Sequence, residues 1–119
     1  MTDKVLILLS CGTDNPNRAT RALFLGMAAH KAGKQVTVFL LDEGVYLARD
    51  GIIENVRAAT GDSADDSLTY LQAHAVPVLV CTPCAKARKI EEKDLIDGAR
   101  MAMASEMITL ACESAVISL

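Results

Sequence analysis

Two cysteines, Cys81 and Cys84, stand three positions apart in VLVCTPCAKARK, between apolar β-forming residues and the basic residues Lys86, Arg88 and Lys89. The types and spacing admit four readings: a redox dithiol, a persulfide carrier, half of a metal site, or an inert buried turn. A thiol at a strand end facing a helix N-terminus meets unpaired amides and the positive end of the helix dipole. Lys86, Arg88 and Lys89 add cationic charge nearby. Both effects predict a lowered thiol pKa, and the thiolate is the form that attacks electrophilic sulfur or binds metal. In the inert reading Cys81 is a small hydrophobe that ends a strand and Cys84 fills a helix face.

A thioredoxin-like pair would lie near the start of its fold and be approached by a later cis proline. Here no proline follows Pro83, and two strand-like runs precede the pair. A structural zinc needs four ligands, and the remaining candidates Cys11, Cys112, His30 and His74 form no second knuckle. The expectation is therefore no bound metal and no cofactor. A persulfide carrier needs one accessible, activated thiol with cations near it, and fits with the least added.

The elements that must position this pair read as α/β. KVLILLS, 4–10, is a continuous apolar run of the kind found in strands covered on both faces. Residues 18–33 place Ala22, Leu25, Met27, Ala28 and Ala32 at near-helical spacing and end at Gly33. QVTVFLL, 35–41, is a second strand, so the first forty residues form a βαβ unit with a parallel pair and a right-handed crossover. Short helical pieces interrupted at Gly51 follow. Ser63 with Asp66 then resembles a capping box opening a helix. Residues 76–81 form the third strand, 89–114 read helical by propensity with Gly98 as the weak point, and AVISL closes as a strand. One domain, 1–119, follows: a three-layer α/β/α sandwich around a mostly parallel sheet. In such sheets chemistry gathers at the strands' carboxyl ends, which puts Cys11, Asp42-Glu43 and the Cys81–Cys84 turn on one edge.

Half of the 119 residues are apolar, the net charge is −3, and no low-complexity or like-charge block interrupts the chain. A nucleic-acid binder would carry a basic footprint, so none is expected. No stretch approaches the roughly 18 apolar residues of a membrane span. MTDKVLILLSCGTDN reads as a strand rather than a signal peptide. The location expected is cytoplasmic, where four cysteines are reduced thiols.

Other polar features take plainer readings. Gly12-Thr13-Asp14 could cradle an anion, but without a glycine-rich phosphate motif Asp14 and Asn15 read as turn and cap residues. Asp42 and Glu43 read as a solvated loop, His30 and His74 as helix-end surface residues, and Cys112 as buried and inert. Met101, Met103 and Met107 read as core or subunit-contact filler.

Two segments, CGTDNPNRATRALFLGMAAHKAGKQVTVFLLDEGVYLARDG and VLVCTPCAKARKIEEKDLIDGARMAMASEMITLACESAVISL, resemble the DsrE/TusD-like sulfur-relay family over essentially the whole chain. The resemblance implies a persulfide-accepting cysteine at Cys81, with Arg88 at the basic end of the segment behind it. Cys84 matches a second cysteine found in one branch. It also implies a short strand around 98–103, hence five parallel strands, and assembly as a homotrimer, a homohexamer or a hetero-hexamer. Partners would be sulfur-donor and sulfur-acceptor proteins. The alternatives are an oligomeric docking or regulatory subunit with structural cysteines, or a dithiol/disulfide redox protein.

Overall fold

A computed structural model describes residues 2–119. The order is β1 (Lys4–Leu9), α1 (Pro16–Lys31), β2 (Gln35–Leu40), 3₁₀ turns at Asp42–Ala48 and Ile53–Asn55, α2 (Ala64–Ala73), β3 (Val78–Cys81), α3 (Thr82–Ala87), a 3₁₀ turn at Glu92–Asp94, β4 (Ala99–Ala102), α4 (Ala104–Glu113) and β5 (Ala115–Ser118). All strand pairs are parallel, in the order β4-β3-β2-β1-β5.

This order dictates the layers. From β1 to β4 the chain steps in one direction, so right-handed crossovers keep α1, α2 and α3 on one face. The return from β4 to β5 runs the other way and drops α4 onto the opposite face. Strand side chains alternate accordingly. Ile7, Leu9, Val36, Val38, Leu40, Val78 and Val80 bury under the first layer with Ala19, Ala22, Leu23, Leu68 and Leu71. Leu6, Phe39, Leu79 and Ala102 bury on the other side against Met107, Leu110 and Ala111 of α4. No residue of α4 is itself fully buried, so this second layer is thin.

Local signals account for the element ends. Asn15 caps α1 by accepting from the Arg18 N–H at 3.2 Å, with Pro16 at the first turn. Gly33, at φ +86°, follows the helix in the left-handed conformation typical of that position. The buried stripe of α1 is Ala19, Thr20, Ala22, Leu23 and Gly26. Leu25 and Met27 are only half-buried and Ala28 is exposed, because the true period places 19, 22, 23 and 26 toward the sheet. Ser63 caps α2 through the Asp65 N–H at 3.2 Å rather than through Asp66. The run 89–114 is not one helix: Gly98 adopts φ +84° immediately before β4, and the strand implied by the family resemblance is present there. Cys112 is exposed, not buried, because it lies on the outer side of α4.

The loops after β1 and β2 cross at backbone-to-backbone distance. A Cβ on Gly12 would lie 2.4 Å from the Glu43 carbonyl oxygen, and one on Gly44 would lie 2.3 Å from the Leu9 carbonyl oxygen. Neither obstacle is a flexible side chain, so neither can yield cheaply. Gly44→Ala is expected to cost about 2–3 kcal/mol by forced overpacking, a fall in Tm of roughly 10 °C for a domain of this size. Gly51→Ala, at φ +90° but facing open space, should cost only about 1 kcal/mol. Thermal and urea melts of the two variants check the difference.

Candidate functional site

Cys81 is the last residue of β3 and the N-cap of α3. Its register partner on β4 is Ala102, and the neighbouring Thr82 hydroxyl donates to the Ala102 carbonyl at 2.9 Å, fixing the strand-to-helix junction. Pro83 sits in the first turn of α3, where its missing N–H costs nothing. Cys81 packs against both core layers and is half-buried. Cys84, one turn on, is half-buried too, and all four cysteines are free thiols.

The surroundings of Cys84 are specific. Its thiol donates to Asp42 Oδ1 at 3.8 Å. Its carbonyl accepts from Arg88 Nη1 at 3.0 Å. Arg88 in turn grips Glu43, with Nη2 at 2.6 Å and Nε at 3.2 Å from Oε1, and Glu43 raises the Arg88 pKa further, keeping the guanidinium charged. Asp42 adopts φ +47°, a conformation that Asp tolerates better than most residues but that still carries strain. The acidic pair after β2 is solvent-exposed as expected, Glu43 only in part, but its side chains also bond across to Cys84 and Arg88. It is the wall against which α3 is held.

The charge pattern differs from the sequence expectation. The Cys81 pKa is raised: burial is the largest cause, the Cys84 side chain adds to it, the Cys84 backbone N–H opposes it, and the Asp42 charge adds a further increment. α3 has only six residues, so few aligned peptides back its N-terminus, and desolvation wins. Of the three basic residues only Arg88 turns toward the pair. Lys86 and Lys89 line a cleft of about 580 Å³ with Thr82, Ile90, Glu91, Glu92 and Met101, around α3 from Cys84. Lys89 stands at φ +61° as the chain leaves the helix.

Cys11 is buried in the core under the first layer. With β2 lying between β1 and β3, strand spacing alone separates it from the pair by about 10 Å. The loop that follows it is closed on itself: the Gly12 N–H donates to Asp14 Oδ1 at 2.8 Å, and that carboxylate occupies the place an anion would take. At the topological switch point, between β1 and β5, Ser10 donates through N and Oγ to the Leu119 carbonyl at 3.0 and 2.9 Å. Sequence reasoning missed Asp42 and Glu43 as site residues. The available signal was an acidic pair ending β2, the strand beside β3, opposite an arginine four residues beyond Cys84.

Among the described residues no three His, Cys, Asp or Glu side chains group to hold a metal ion, and no helix is long and apolar enough to cross a membrane. The arrangement offers two thiols, one able to pass its proton to a carboxylate, on a turn fixed by an ion pair.

The chain is similar over 93% of its length to the uncharacterized protein MJ0989 of Methanocaldococcus jannaschii, at 32% identity and 94% coverage of that protein. It is 27% identical to the uncharacterized protein MK0008 of Methanopyrus kandleri over 94% of this chain and 89% of that one. The crystal structure of the ychN protein from E. coli superposes with a TM-score of 0.81 at 21% identity over the whole of both chains. The protein of unknown function MTH1491 from Methanobacterium thermoautotrophicum gives 0.64 at 15% identity over 98% of each. These likenesses establish the architecture, and the family model for DsrE/DsrF-like proteins matches residues 3–119: the chain is a member of the DsrE/DsrF-like family.

Proposed function

We propose that this protein carries sulfane sulfur as a persulfide on Cys81, passing it between donor and acceptor proteins in the cytoplasm, and that Cys84 is a resolving thiol. The observation that supports this most directly is the hydrogen bond from the Cys84 thiol to Asp42 on a turn locked by Arg88 and Glu43. Loading is an exchange: Cys81 gives its proton to water, the small thiolate fraction that results attacks the outer sulfur of a donor persulfide, the Cys81 S–S bond forms, and the donor leaves as its thiolate. Delivery repeats the exchange with an acceptor thiolate attacking the outer sulfur. If no acceptor arrives, Cys84 gives its proton to Asp42, attacks Cys81 Sγ and closes a disulfide, expelling the outer sulfur as hydrosulfide.

In this mechanism Lys86 and Lys89 do not activate the thiol directly. They flank a cleft that opens beside Thr82, where Glu91 and Glu92 balance their charge. Cys11 serves only to pack the loop behind Asp42. The exposed apolar side chains Met103 and Ile108, each 55% exposed, and Val116, 43% exposed, lie on or beside α4 and β5 and support assembly into a trimer or hexamer. That same surface favours the second reading, an oligomeric docking subunit in which the cysteines are structural. In that reading Cys81 resists alkylation in the native protein and reacts only after unfolding.

Intact-mass spectrometry of the reduced protein after exposure to polysulfide tests the first reading. One sulfur atom per subunit is expected, absent in Cys81→Ser and longer-lived in Cys84→Ser; no gain in the wild type contradicts it. Asp42→Asn should load at least as fast as the wild type, since a charge that raises the Cys81 pKa is gone, yet close the Cys81–Cys84 disulfide several-fold more slowly, since the proton acceptor is gone. Because the raised Cys81 pKa leaves the thiol protonated at neutral pH, its iodoacetamide labelling rate should climb about tenfold per pH unit from about pH 7 to about pH 9. A plateau already reached near neutrality would mean an activated thiolate instead. For the assembly, Ile108→Glu should shift the oligomer toward monomer in light scattering.

A further inference from the structure

We propose that His30 and His74 form a two-imidazole site for a first-row divalent transition-metal ion, at the edge of the sheet opposite the thiols. His30 lies in the last turn of α1 and His74 is the C-cap of α2. Because helices run antiparallel to the strands they connect, both helix ends meet at the strands' amino edge. There the two rings share the lining of one cleft of about 350 Å³ with Lys34, Gln35 and Thr37.

One residue orients both rings. The His74 Nδ1 lies 2.8 Å from the Tyr70 backbone carbonyl. A carbonyl only accepts, so this nitrogen carries the proton and the neutral ring presents an unprotonated Nε2. The His30 Nδ1 lies 2.8 Å from the Tyr70 hydroxyl, which can accept as well as donate, so the same tautomer is open to His30. The Tyr70 ring stacks on His74 with centroids 4.0 Å apart and meets His30 edge-on at 5.5 Å. Histidines that bind metals through Nε2 are held in this way, with Nδ1–H given to a carbonyl or another oxygen acceptor.

The ring spacing fits one ion. A metal about 2.0–2.1 Å from each Nε2 sits about 3.2 Å from each ring centre, so two such rings lie about 5.2 Å apart at a tetrahedral angle and about 4.5 Å apart at a right angle. The observed centroid separation is 5.0 Å, with the planes tilted by 56°. Two neutral imidazoles suit nickel, copper or zinc rather than magnesium or calcium, with water completing the shell. Of the cations nearby, Lys34 is paired with Asp3 at 3.3 Å, and Lys31 lies over the Tyr70 ring, 5.2 Å from its centroid.

The test is Ni²⁺ titration of the full, reduced chain, followed by the imidazole nitrogen resonances and repeated with His30→Gln, His74→Gln and Tyr70→Phe. Nickel is chosen because thiols compete for it less than for zinc or copper(I). Because Ni²⁺ with water completing its shell is paramagnetic, one equivalent should broaden away both Nε2 signals together. Either histidine variant should bind more than about tenfold more weakly, and Tyr70→Phe, which keeps the carbonyl but loses the hydroxyl, about tenfold more weakly. Melting in EDTA checks that each variant is folded. A response from one ring alone, wild-type affinity in either histidine variant, or binding lost with Cys81→Ser but kept without the histidines would overturn the site. So would rings that respond to inorganic phosphate and not to Ni²⁺, which would make the cleft an anion site.

Discussion

Everything at the thiol edge depends on the contact between the loops that follow β1 and β2, where Gly12 and Gly44 let two backbones touch. Because that crossing admits no side chain, Asp42 and Glu43 leave β2 in one direction only, and Asp42 accepts left-handed geometry to do so. Glu43 then fixes Arg88, Arg88 fixes the Cys84 carbonyl, and Asp42 takes the Cys84 thiol. A short helix with little intrinsic stability is thereby held against the sheet by a charged pair rather than by its own propensity. The cysteines are positioned from β2, not from the strand that carries Cys81.

The strand order gives the molecule two unequal faces. Three sequential crossovers bury one side under α1, α2 and α3, whereas the single return leaves the other side to α4. The thin layer keeps Phe39 and Leu79 dry yet leaves much of α4 facing outward. Its two ends of interest are also segregated: thiols, carboxylates and arginine occupy the carboxyl edge, and the His30–Tyr70–His74 cluster occupies the amino edge. Chemistry at one end therefore need not disturb the other.

The strands were legible because a doubly covered parallel sheet writes itself as apolar runs, and β1, β2 and β3 are such runs. β4 was not legible from propensity. ARMA at 99–102 contains nothing β-branched, and its strand form comes from register with Val78–Cys81, a long-range contact that overrides local preference. The cysteine pair was visible in its spacing, but the sign of its electrostatics was not. A row of basic letters does not say which way each points, and here two of three point elsewhere while burial and Asp42 raise the Cys81 pKa. The bonding role of Asp42 and Glu43 was hidden because their partners, Cys84 and Arg88, lie 42 and 45 positions away.

A persulfide relay with a resolving thiol imposes an order of events on two sulfurs, which can be followed in time. Protein loaded with isotopically labelled sulfur would be quenched at intervals, and the peptide carrying both cysteines fragmented to locate the label. Label should appear first on Cys81 and be lost as the Cys81–Cys84 disulfide appears. Label appearing first on Cys84, or only on the exposed Cys112, would contradict that order.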